Sequence, residues 1–207
     1  MGVQSAGHLV EINTDKYLIL SFFTSATFAV YSVGAFQIPI VEMVFTSIAA
    51  VILPRLASLY NEKELGHLVT LWREAIRKSA IILFPLFVLL FNVHREFILV
   101  LFTEKYAESI PIFAVYIWII PTYIMANNLL LQAIGHGRYL FWTGLIKPPF
   151  AILFIYVGLH YGGLIGCAAG LVIYHYLATF LYAWLSSRAL NVSLRQLVPW
   201  KELFFTA

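Results

Sequence analysis

The chain has 207 residues, of which 61% are hydrophobic and 11% charged, whereas soluble domains carry about 25% charged residues, so a water-facing surface is excluded and a lipid solvent is required. The formal net charge of +3 does not point to nucleic acid, because Lys and Arg gather at the ends of apolar runs rather than in a tract. The single cysteine, Cys167, excludes a disulfide or a thiolate metal site within one chain.

The segment Met1 to Val10 lacks the basic start, apolar core and small-residue cleavage site of a signal peptide, so insertion is expected to rely on the spans themselves. From Tyr17 to Leu53 the sequence is almost unbroken apolar. As one helix it would be about 55 Å long against a hydrocarbon thickness of about 30 Å, so it must break. The Thr24-Ser25-Ala26-Thr27 cluster is the expected break, giving a first span over 6–23 and a second over 28–53. The first span carries Glu11, Asp15 and Lys16 toward the membrane, where each charge costs roughly 2.5 to 3.5 kcal/mol at mid-depth and is expected to face protein or water.

A charged stretch from Arg55 to Lys78 leads to a third span over 72–92, and Phe97 to Phe102 is expected as a brief surface helix. The fourth span covers 110–133 and ends at Gly135-His136-Gly137; the fifth covers 139–159 and the sixth 162–186, with an interfacial tail over 187–207. The expected fold is therefore all-α, a polytopic membrane protein forming a single bundle of about six transmembrane helices.

Both termini then share one side. Nine basic residues (Arg55, Lys63, Arg73, Arg77, Lys78, Arg138, Arg188, Arg195, Lys201) fall in the loops and tail of that side, and only Arg95 and Lys105 on the other. The positive-inside rule makes the termini cytoplasmic. Trp72, Trp142, Trp184 and Trp200 read as belt residues on the basic side, and Tyr31, Tyr106 and Tyr161 on the far side.

Polar groups inside the spans are the candidate functional residues. Glu42 lies about mid-way along the expected second span, beyond snorkelling reach, and either lines a cavity or makes a structural hydrogen bond. Lys147 lies about 12 Å inside the fifth span and either snorkels or contacts an anion. Asn127, Asn128 and Gln132 make the fourth span polar at one end, as helix glue or cavity lining. Gly162, Gly166 and Gly170 repeat at four-residue spacing, a pattern for close helix packing. Pro39, Pro85, Pro121 and the Pro148-Pro149 pair each kink a span. The six histidines show no ligand spacing and no glycine loop suits a phosphate, so neither metal nor cofactor is expected. His94-Arg95-Glu96 has no second carboxylate or nucleophile beside it, and no catalytic residue is assigned.

The stretches Asp15-Lys16-Tyr-Leu-Ile-Leu-Ser21, Tyr31-Ser-Val-Gly-Ala-Phe-Gln37-Ile-Pro39, Leu53-Pro54-Arg-Leu-Ala-Ser58 and Ile98-Leu-Val-Leu-Phe-Thr-Glu-Lys-Tyr106 resemble the C-terminal half of a bacterial polysaccharide exporter. The family is that of the O-antigen or lipid-linked oligosaccharide flippases within the multidrug, oligosaccharidyl-lipid and polysaccharide exporter superfamily. The likeness extends over nearly the whole chain, with Thr103 where the family usually has glycine after Leu-Phe. It implies one lobe of a two-lobe transporter in the bacterial cytoplasmic (inner) membrane. That lobe would move an undecaprenyl-diphosphate-linked oligosaccharide, such as an O-antigen unit for lipopolysaccharide, by alternating access and without enzymatic chemistry. The missing N-terminal lobe, or a second copy, is the implied partner beside the lipid bilayer. The chain is accordingly expected to be a fragment or truncated reading frame, with a lone lobe that pairs as the alternative. Asp15, Lys16, Glu42, Arg55 and Lys147 are the candidates for the cavity, where cations would meet a diphosphate headgroup. A multidrug or cation exporter of the same superfamily and a non-transport membrane assembly subunit are the competing readings.

Overall fold

A computed structural model describes residues 15–21, 23–125, 127–135 and 137–199, without the side chains of 127, 128, 137–141 and 143. The first described helix, α1, covers 15–21. Thr24 then adopts an extended backbone and its hydroxyl accepts from Thr27 N at 3.3 Å, a side-chain N-cap that starts α2 (Ser25–Gly34). The break expected at this hydroxyl cluster is where α2 begins.

The span expected over 28–53 is not one helix. It is interrupted at 35–38, and α3 starts afresh as Pro39–Asn61. Pro39 has no N–H to offer the preceding turn and suits the first helical position, where that donor is not needed. Gly34 adds a packing reason, because a Cβ there would come within 2.6 Å of the Ile112 side chain. After α3 the chain turns through Lys63, whose φ of 61° closes the turn to α4 (Leu65–Phe102).

At 38 residues, α4 is about 57 Å long and exceeds the hydrocarbon thickness. The expected third span, 72–92, is its middle. α4 is two helical parts meeting at a kink at Val93 (φ −111°, ψ 19°), and the expected brief helix Phe97–Phe102 lies in the second part, with Ile98 buried rather than at the surface. A short 3-10 segment, Glu104–Ser109, leads to α5 (Ile110–Tyr116), a 3-10 turn at Ile117–Ile119, α6 (Ile120–Ile124) and α7 (Asn127–Ala133). The fourth span is thus a run of short helices, as Pro111 and Pro121 dictate by removing backbone donors.

The stretches expected as the fifth and sixth spans fall on the two limbs of α8 (Gly137–Leu190), which departs from helical geometry at Gly163 (φ 56°, ψ −142°). Gly158 lies against Gly166, and Phe154 against Gly170. In a straight helix residues eight or sixteen apart lie about 12 and 24 Å apart, so these contacts require the chain to reverse between them. Only glycine adopts the Gly163 backbone without strain. The last described helix is α9 (Leu194–Leu197), where Ser193 and Gln196 form a reciprocal capping box.

No strand occurs among the described residues. Among the described residues, four stretches are long and apolar enough to cross a membrane: Pro39–Asn61, Leu65–Phe102, Glu104–Ala133 and Gly144–Leu190, the last containing both limbs of α8. The protein is an all-α, polytopic membrane protein.

Contacts divide the chain into two compact units. One is drawn from Met1–Gln37, Phe87–Ile119 and Phe141–Tyr176. Within it α2 packs on α5 and the Glu104–Ser109 turn, with Ser109 Oγ donating to Val30 O at 2.7 Å. Phe97 and Phe113 stack with centroids 5.1 Å apart, and Phe36 meets Phe102 edge-on at 5.4 Å. The second unit is drawn from Ile38–Leu86, Ile120–Leu140 and Leu177–Ala207. Within it α3 packs on α6 and α7, with Phe45 edge-on to Tyr123 at 5.8 Å.

Candidate substrate face and buried polar cluster

Two arrangements stand out, one in each unit. The first is a face of α3. Its buried side is apolar and includes Val41, Ile52 and Leu56. On the opposite side Glu42, Thr46, Ala50, Pro54 and Ser58 follow at four-residue spacing, flanked by Met43, Ser47, Val51 and Arg55, and all nine are exposed. Residues four apart share a helix face, so the exposed side forms a stripe in which five of the nine side chains are polar. Only 17% of the helix's most apolar 18-residue stretch is buried, the lowest share among the four crossing stretches. Thr46 Oγ1 donates to Glu42 O at 2.8 Å, and Ser58 Oγ donates to Glu62 Oε1 at 2.6 Å.

Glu42 occupies a different place from the one its position in the apolar run implies. The interruption at 35–38 puts it in the first turn of α3 rather than mid-way along a span. There the unpaired N–H groups of the helix start favour a carboxylate. Arg55 is exposed on the same helix, 13 residues on, a rise of about 20 Å.

The second arrangement is a buried chain of polar groups. Asp15 is 1% exposed, and its Oδ2 accepts from the Tyr31 hydroxyl at 2.9 Å. Tyr31, fully buried, accepts in turn from Cys167 Sγ at 3.4 Å. The far-side belt role expected for Tyr31 does not hold: its ring is packed inside its unit, whereas Tyr161 is 85% exposed. Trp72 is likewise buried at 2% exposure, while Trp142 and Trp184 are exposed, the latter under the Arg188 guanidinium at 5.2 Å.

Lys16 and Lys147 are half-buried, and Gln132 is exposed on α7. The side chains of Asn127 and Asn128 lie outside the described residues. Of the three glycines, Gly166 and Gly170 lie against the preceding limb of α8, so closely that any Cβ would meet backbone atoms; Gly162 has open space around its Cβ position. No group of three or more His, Cys, Asp or Glu able to hold a metal occurs among the described residues.

Tyr31 and Cys167 are the site residues that sequence reasoning missed. They lie 16 and 152 positions from Asp15, spacings that carry no periodic signal.

No curated protein and no solved structure matches the chain. A family model described as polysaccharide biosynthesis protein matches residues 4–111, just over half of the sequence. That match spans α1 to α4 and so takes in the exposed face of α3 together with Asp15 and Tyr31. The chain belongs to the polysaccharide biosynthesis protein family.

Proposed function

We infer that the chain forms one wall of a transporter that moves lipid-linked oligosaccharide, an O-antigen or similar repeat unit, across the bacterial cytoplasmic membrane by alternating access. The observation that carries this reading is the polar stripe on the exposed side of α3. A helix crossing lipid presents apolar side chains to it, and charged groups face a bundle interior or a water-filled cavity. Hydroxyls at Thr46, Ser47 and Ser58 suit a sugar, and Arg55 suits a diphosphate. A wall needs a facing wall, supplied by an N-terminal lobe or a second copy. The work is binding and reorientation, with no covalent step. Membership of a polysaccharide biosynthesis family favours this cargo over a drug or a cation.

Expression in a flippase-deficient strain tests the proposal. The isolated chain is expected to leave surface polysaccharide absent, and co-expression with a matching first lobe to restore it. Restoration by the isolated chain would make a second copy the facing wall. Restored drug resistance without restored polysaccharide would contradict the reading.

A further inference from the structure

Asp15 is 1% exposed, yet only half of its carboxyl group is satisfied. Oδ2 accepts from the Tyr31 hydroxyl at 2.9 Å, and Oδ1 has no hydrogen-bond partner among the described residues. The Tyr31 oxygen accepts from Cys167 Sγ at 3.4 Å. Both hydrogens therefore point the same way, from the thiol on α8, through the phenol on α2, to the carboxyl on α1. The ionisable groups that face Asp15 are Tyr31 from α2 and Cys167 from α8. Lys16 follows it on its own helix and is a cation whose charge acts on the carboxyl.

A metal cation or a proton would complete Oδ1. A hard cation needs about six oxygen ligands, and the described oxygens joined in this cluster are the two of Asp15 and the one of Tyr31, which is already accepting from the thiol. A proton needs a single atom. We propose that Asp15 is a proton-exchange site, in which Oδ1 binds and releases a proton while the Tyr31 hydroxyl holds Oδ2 in place.

One O–H bond forms or breaks, and nothing else changes covalently. With the proton bound, the cluster is neutral and suits dry packing between three helices. Without it, a carboxylate holding one hydrogen bond needs water or a rearrangement of α1 to supply the rest. Proton occupancy is thereby linked to the packing of α1 against α2 and α8, whatever cargo the protein carries.

Infrared difference spectroscopy on the full chain in lipid, stepped between about pH 5 and about pH 9, tests this. The wild type is expected to show a carboxylic-acid carbonyl band whose intensity changes across the range and which disappears in Asp15→Asn. Tyr31→Phe keeps the acid but removes a hydrogen bond to its carbonyl oxygen, so the band should move to higher frequency. Asp15→Glu, which retains the carboxyl, should keep a titrating band even if Asp15→Asn folds poorly. A band that Asp15→Asn leaves unchanged, or one of constant intensity across the range, overturns the proposal.

Discussion

The Tyr31 hydroxyl donates to Asp15 Oδ2 at 2.9 Å and fastens α2 to α1 through a pair that is almost wholly buried. Removing the donor leaves a buried acceptor without its partner, so Tyr31→Phe should lower stability by about 1 to 3 kcal/mol. Reversible unfolding in mixed micelles measures it. In the double variant Asp15→Asn, Tyr31→Phe the loss should be smaller than the sum of the single losses, because the two changes remove one interaction.

The limbs of α8 give a sharper contrast. At Gly166 and Gly170 a side chain would collide with the backbone of the other limb. Gly166→Val and Gly170→Val should each cost about 1 to 3 kcal/mol or more and reduce the amount of protein in the membrane. Gly162→Ala meets nothing and should be silent, although it belongs to the same sequence repeat. Gly163→Ala should cost about 1 to 3 kcal/mol through backbone strain alone, since its φ is 56°. Thermal stability and steady-state abundance across the four variants distinguish these outcomes.

Orientation in the membrane follows from the basic residues. Reporter fusions at Asn61 and His136 are expected to read cytoplasmic, and fusions at Arg95 and Tyr161 periplasmic, because nine Lys and Arg fall at the ends of the apolar runs on one side and two on the other. An inverted pattern would contradict the assignment of both termini to the cytoplasm.

The candidate charges separate a transporter from a passive bundle. With both walls present, Glu42→Gln and Lys147→Met should reduce export of lipid-linked sugar at normal membrane abundance. Lys147→Arg should partly preserve export, because a diphosphate needs the charge more than the stem. Quantified surface polysaccharide, with abundance measured in parallel, checks this. Loss of the protein itself, or normal export by both variants, would make the two residues structural.

How far the sequence could be read depended on whether a feature was local. The hydroxyl cluster at Thr24–Thr27 announced a break, and the break takes the form of an N-cap that acts within three residues. The four-residue spacing of Gly166 and Gly170 announced close packing, but it could not exclude Gly162, which lies at the turn between the limbs. The place of Glu42 in the first turn of its helix was not legible because hydropathy is continuous across 35–38, while the interruption comes from Pro39 opening a helix and from Gly34 packing against Ile112. The Asp15–Tyr31–Cys167 chain was invisible because it exists only once three helices have met. The polar stripe of α3 was hidden for a related reason: its register becomes meaningful only when the buried side is known to hold Val41, Ile52 and Leu56.

Whether the exposed side of α3 lines a watery pathway is the most direct test of the account. The chain supplies a clean background, since its single cysteine, Cys167, is buried. Single cysteines at Ser47 and Ser58 on the exposed side, and at Ile52 on the buried side, should be treated with a membrane-impermeant maleimide in the two-wall complex. The account predicts rapid labelling at Ser47→Cys and Ser58→Cys, slowed by lipid-linked oligosaccharide, and none at Ile52→Cys. Labelling of Ser47→Cys only by a lipid-soluble maleimide would place this side against lipid and contradict the account.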